Sequence, residues 1–163
     1  MSTKTILFSF AAFLLLNVSF CQAAENLAAI PSSGPTTPTG WYDDFDLALK
    51  AAQTAQKKLY ILFTGSDWCG WCIKLKENVL TKKAFLDYAK DNLVLVEVDF
   101  PENKPQMPVQ KKANDALMRK YGVEGFPTIL LLNGDGRELA RLEYKNYTPE
   151  EYVEYIKDAL KKK

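Results

Sequence analysis

Cys69 and Cys72, in the run Trp68-Cys69-Gly70-Trp71-Cys72, are the residues of this chain best suited to covalent chemistry. Thiols at that spacing can close a disulfide and reopen it, because the second can attack a mixed disulfide formed on the first. Their neighbours suggest how they are placed. Leu59-Tyr60-Ile61-Leu62-Phe63 is apolar throughout and reads as a short strand covered on both faces, as in a parallel α/β sheet. Thr64-Gly65-Ser66-Asp67 is a turn cluster. From Gly70 onward Ile73, Leu75, Val79 and Leu80 recur at helical spacing among Lys74, Lys76, Glu77 and Asn78. The cysteines therefore fall where a strand has ended and a helix begins. Unpaired N–H groups and the positive end of the helix dipole favour a thiolate there, moving a cysteine pKa from ~8.5 towards ~3.5 to 7.5. Cys69 is expected to be the exposed nucleophile, and Cys72, one turn in, the resolving thiol.

Other uses of such a pair fit less well. A structural zinc needs four ligands. The chain has no histidine and only Cys21 as a further cysteine, so a tetrahedral site would have to recruit carboxylates. Haem attachment needs histidine directly after the second cysteine; Ile73 stands there. An inert structural disulfide stays open, although so short a loop returns little chain entropy.

The pair, with Gly125-Phe126-Pro127-Thr128 further on, resembles the thioredoxin superfamily. Its signature is W-C-x-x-C at a strand-to-helix junction, with a later loop carrying a cis-proline beside the sulfurs. The stretch Phe63 to Cys72 is more similar to secreted bacterial thioredoxin-like thiol–disulfide oxidoreductases than to the small cytosolic thioredoxins. The resemblance covers about residues 41 to 162. It implies an α/β thioredoxin-like fold, a central mixed β-sheet flanked by helices. It also implies Cys69 and Cys72 as the catalytic pair, with a substrate groove that includes Trp68, Gly70, Trp71, Phe126 and Pro127. No cofactor and no metal would be needed. Protein or small-molecule disulfides and dithiols would be the substrates, and an unidentified redox donor, such as a membrane-borne relay, would supply electrons. The alternative is a thioredoxin-fold binding module whose Cys69–Cys72 disulfide stays permanently oxidised.

Two departures from the family stand out. The buried aspartate that many cytosolic thioredoxins carry before the cysteines falls, by residue count, at Phe63, and its partner lysine near Leu95. Proton transfer at Cys72 must then use water or another acid; Asp67 and Glu77 are close in sequence but read as solvated surface carboxylates. Asp67 would oppose a Cys69 thiolate if its carboxylate faced the sulfur. The dipeptide between the cysteines is Gly70-Trp71, so no imidazole cation is available to make Cys69 extremely acidic.

The rest of the chain supports one exported domain. Residues 1–23 read as a signal peptide, with Lys4 as the positive end, Ile6 to Leu16 as the apolar core and cleavage after Ala23; an uncleaved anchor is the other reading. The protein would then be periplasmic or extracellular. Residues 24–40, rich in Pro, Ser, Thr and Gly, read as a flexible linker, and 41–163 as the thioredoxin-like domain. Lys+Arg 21 against Asp+Glu 20 gives no basic excess, so no nucleic-acid partner is implied.

Within the domain, Asp43 or Asp44 can cap a helix to about Lys57, with Phe45, Leu47, Leu49, Ala52 and Ala55 apolar. Thr81 can break the cysteine helix before a continuation to about Asn92. Leu93 to Phe100 is a second buried strand, and Pro108 opens a helix to Tyr121 with Ala113, Leu117 and Met118 inward. Thr128 to Leu132 is a third strand, turned by Asn133-Gly134-Asp135-Gly136 into an antiparallel return over Arg137 to Tyr144. Thr148-Pro149-Glu150-Glu151 is a capping box for a last helix striped by Tyr152, Val153, Ile156 and Leu160.

Overall fold

The computed structural model of the protein describes residues 40–162. The expected signal peptide over 1–23, and the linker before Gly40, lie outside them. Five strands form one mixed sheet: β1 (Trp41–Tyr42), β2 (Lys58–Thr64), β3 (Leu93–Asp99), β4 (Thr128–Leu132) and β5 (Glu138–Leu142). Their spatial order is β1-β3-β2-β4-β5. The first three are parallel, and β4 and β5 are added antiparallel. β1 is too short to show a period, and no sequence pattern announces it.

The unbroken apolar run Leu59 to Phe63 suits a strand with protein on both sides, and β2 is buried from Leu59 to Thr64. Successive side chains point to opposite faces. Tyr60 and Leu62 join one core with Leu75, Val79, Phe85, Tyr152 and Ile156, whereas Leu59, Ile61 and Phe63 join the other with Phe45, Ala48, Val98 and Tyr121. Helices α2 (Gly70–Leu75), α3 (Lys83–Asn92) and α5 (Pro149–Lys161) cover the first face, and α1 (Phe45–Ala55) and α4 (Pro108–Lys120) the second. Each fully buried leucine or phenylalanine contributes about 1.5–3 kcal/mol.

Local chemistry sets the element ends. Asp44 caps α1 by accepting the Leu47 N–H at 2.9 Å. α2 runs into a π-helical turn, Lys76–Leu80, that stops at Thr81 before α3 restarts. In the hairpin, Asn133 Oδ1 accepts from Asp135 N and Arg137 N, and Gly136 takes the left-handed φ of 74° that its turn requires. The capping box at α5 is formed, with Thr148 and Glu151 bonded reciprocally.

The expected apolar faces of α1 and α4 meet the core through Phe45, Leu49, Ala52, Leu117 and Met118, but one alanine in each helix differs. In α1 Ala48 is buried and Ala55 exposed. In α4 Leu117 and Met118 pack inward as expected, but the fully buried residue is Asn114, while Ala113 is exposed. The reason is polar: Asn114 Nδ2 donates to the Asp99 carbonyl at 2.7 Å, and Gln110 Nε2 donates to Asn114 Oδ1 at 2.9 Å. The end of β3 needs donors, and a helix turned to supply them hides an amide rather than a methyl group.

Candidate active site

β2 ends at Thr64, and six residues later the chain enters α2. Cys69 is the N-cap, with extended φ −77° and ψ 99°, and its Sγ accepts the Cys72 N–H at 3.2 Å. A sulfur thus takes the place of the usual capping oxygen. Cys69 and Cys72 are joined in a disulfide, their Cα atoms 5.2 Å apart. The expectation of an exposed Cys69 needs correction: it is 7% exposed and Cys72 3%. Cys69 is the more accessible sulfur residue, but both are recessed because the cap turns its side chain back over the helix start. Exposure belongs instead to Gly70, to Trp68 at 43% and to Trp71 at 55%.

The two indoles are held differently. Trp68 Nε1 donates to the Phe100 carbonyl at 2.7 Å, and its ring meets Phe126 edge-on at 5.8 Å. Phe126 in turn stacks on Phe100 at 5.1 Å. Gly65 leaves the space for this indole: a Cβ there would lie 2.4 Å from the Trp68 ring. Trp71 meets Tyr144 at 6.0 Å and carries the Lys74 ammonium 4.6 Å from its ring centre. The Phe126–Pro127 bond is cis, as the resemblance implied. Pro127, Trp71 and Tyr144 line one groove, so the later loop is brought to the cysteine end of the sheet.

The turn before the cysteines is fastened to the end of β3 and to the loop that follows it. Asp99 Oδ1 and Oδ2 accept from Ser66 N at 2.8 Å and Ser66 Oγ at 2.6 Å. Asp67 Oδ1 and Oδ2 accept from Glu102 N at 3.0 Å and Asn103 N at 2.8 Å. Bonds from those amides, the Glu102 N–H foremost, lower the Asp67 pKa below the ordinary carboxylate value. Asp67 is thus a loop anchor rather than the free surface carboxylate expected. Asp99 and Phe100 were expected only as the end of a buried strand, and the 102–103 amides carry no side-chain signal; Ser66, Asp67 and Trp68, which they hold, are over thirty residues away, and no spacing rule links them.

Phe63 points to the α1–α4 side against Tyr121, away from the cysteine helix. Leu62 is the β2 residue on the α2 side. One residue along a strand exchanges the two faces. Leu62 and Phe63 are both apolar, so β2 supplies no acid.

The thioredoxin-like domain family matches residues 45–160. The chain belongs to the thioredoxin-like family. Disulfide bond reductase DsbH of Chlamydia pneumoniae is 34% identical over 157 residues, 94% of each chain. Thioredoxin-related protein DsbJ of the same organism is 32% identical over 80% of this chain but 36% of its own length. Among solved structures, a DsbH oxidoreductase superposes with TM-score 0.69 at 36% identity, covering 74% of this chain and 83% of that one. Like other members of the family, this thioredoxin-like protein is a thiol–disulfide oxidoreductase.

Proposed function

We propose that the protein is an exported reductant of disulfides, with Cys69 as nucleophile and Cys72 as resolving thiol. The cap carries the reading: the Cys69 sulfur accepts an N–H of the first helical turn. In the dithiol state the same donor and the helix end stabilise a Cys69 thiolate. That thiolate attacks one sulfur of a substrate disulfide, whose S–S bond breaks. A mixed disulfide forms, and the departing substrate thiolate takes a proton from solvent. Cys72 then loses its proton and attacks Cys69 Sγ, expelling the second substrate thiolate, which is protonated in turn. Two electrons pass to the substrate, and the Cys69–Cys72 bond is left. Pro127, Phe126, Trp68, Gly70 and Trp71 shape the groove in which this happens.

Reduction is favoured over oxidation because the chain has no histidine to stabilise the thiolate further, and a relative of nearly equal length is named a disulfide bond reductase. The leader-like residues 1–23 support export to the periplasm or outside the cell. A donor, such as a membrane-borne relay, must then return two electrons.

Turnover of insulin with dithiothreitol, wild type against Cys69→Ser, tests the chemistry. Wild type should be faster. Equal rates would support the permanently oxidised docking module, for which the recessed sulfurs between exposed indoles are the favouring observation. Equilibration with glutathione tests the direction: the potential should lie nearer about −270 mV, typical of thioredoxin, than about −120 mV, typical of a strong oxidant. Cys72→Ser should trap disulfide-linked partners from the exporting cell and Cys69→Ser should not. If both trap equally, the assignment of the nucleophile is wrong.

A further inference from the structure

A groove of about 660 Å³ opens between β3, the π-helical turn and α3. Trp68, Cys69, Trp71, Cys72 and Pro127 do not line it, so the oxidoreductase reading gives it no task. Its lining is mainly apolar, with Leu62, Leu80, Leu86, Leu93 and Leu95 brought together from four elements. Leu86 is 37% exposed, so the apolar wall reaches the surface. The floor runs along β3, where Leu93, Leu95 and Glu97 alternate onto the same face. Four residue steps of about 3.3 Å make this a slot about 13 Å long. The charged groups that line it mark its two ends. At one end Glu97 takes the Lys76 ammonium on both oxygens, at 2.9 and 3.1 Å, so these charges cancel. At the other stands Lys90, which has no ion pair among the described residues. The Lys57 ammonium donates to the Lys90 carbonyl, bringing a second cation to that end.

We propose that this groove binds a single-chain aliphatic anion of the fatty-acid class. Its carboxylate sits at Lys90, and its chain lies along Leu93 and Leu95 towards Leu62 and Leu80. Charge complementarity selects the occupant. A leucine-lined slot with a neutralised far end and a cationic near end matches a molecule that is apolar along its length and negative at one terminus. A sugar or a nucleotide would leave its polar groups unpaired against the leucines. Burial of the chain supplies the affinity, and the ammonium of Lys90 sets the orientation. The site shares no residue with the groove of Trp71 and Pro127, so it stands or falls independently of the redox chemistry.

The experiment titrates the whole chain with decanoate, dodecanoate and decanol, following amide NMR shifts and heat of binding. Decanoate should give saturable shifts at Leu86, Lys90, Leu93 and Leu95. Dodecanoate, longer by two methylenes, should bind on the order of tenfold more tightly. Lys90→Gln should weaken decanoate about threefold, as loss of an exposed ion pair does, and leave decanol unchanged. Leu86→Glu, made at a surface position, should weaken decanoate at least about tenfold by removing apolar contact and adding a like charge. Insulin turnover should be the same in both variants as in wild type. Several results overturn the proposal: no saturable shifts in the groove, equal binding of decanol and decanoate, or decanoate binding indifferent to Lys90→Gln. So does binding to phosphatidylglycerol vesicles without binding of the monomeric anions, which would make the patch a membrane contact. Shifts at Leu86 and Leu93 that grow with protein concentration alone would give the groove to a second copy of the chain, and overturn it equally.

Discussion

At the scale of single residues, the site depends on one missing side chain and one carboxylate. Gly65→Ala places a methyl group inside the space of an indole fixed by the Phe100 carbonyl and by Phe126. Overpacking of this kind costs about 1–3 kcal/mol. The variant should melt earlier, and its Trp68 emission should shift to the red as the ring is displaced. Asp67 predicts a pH signature. Its pKa is depressed in the folded chain by the Glu102 and Asn103 amides. Its contribution is therefore present above the unfolded value of about 3.9 and is lost as pH falls through the folded one. Asp67→Asn should be less stable than wild type at pH 7, and the two should converge in thermal melts near pH 2. A gap unchanged between those pH values would show that the charge does not hold the loop. The Cys69 thiol, titrated by thiolate absorbance in Cys72→Ser, should ionise below the free value of about 8.5. A midpoint above that would remove the role given to the cap.

At the scale of elements, legibility followed the range of the interaction. The strand β2, the break at Thr81, the hairpin and the capping box depend on residues adjacent or a few apart, and each stands where its pattern puts it. In α1 and α4 the apolar stripe is legible through Phe45, Leu49, Ala52, Leu117 and Met118, but which residue is most deeply buried is decided by neighbours from other segments. Asn114 is buried to satisfy Asp99, which lies fifteen residues earlier. The orientation of Phe63 is hidden for a related reason: counting back from Cys69 cannot reveal which side of β2 faces α2. The capping box gives a local test. Thr148→Ala removes the acceptor of the Glu151 N–H and should cost about 0.5–2 kcal/mol in denaturant unfolding. Insulin turnover should be little affected, since α5 starts beyond the redox pair.

Across the whole molecule, the core under α5 carries a buried pair of tyrosine hydroxyls. Tyr60 and Tyr152, fully buried between the sheet and α5, share a hydroxyl contact of 2.8 Å. Burial, the largest cause, raises both pKa values above the usual tyrosine value. A raised folded pKa means stability present below the unfolded value of about 10 and lost as pH rises further. Wild type should therefore unfold more readily above pH 10. Tyr152→Phe strands the Tyr60 hydroxyl in an apolar core, at a cost of about 1–3 kcal/mol. Tyr60→Phe with Tyr152→Phe should be more stable than the sum of the single losses suggests, and should lose less stability between pH 9 and 11. Additive losses in a double-mutant cycle would deny the coupling.

The fastening of residues 66–68 to 99–103 has a further consequence. Cys69 and Cys72 belong to a segment of a few residues, yet the wall beside them is built by a part of the chain made later, at the end of β3 and just beyond it. During synthesis the thiols emerge before Asp99, Phe100 and the amides of Glu102 and Asn103 exist to frame them. Until then they are ordinary cysteines on an unfinished chain, open to wrong pairing. A fragment ending at Asn92 should therefore show thiols with the acidity and exchange rates of a free peptide. Extension through the cis-proline loop and α5 should be needed before the pair acquires the reactivity of the folded protein.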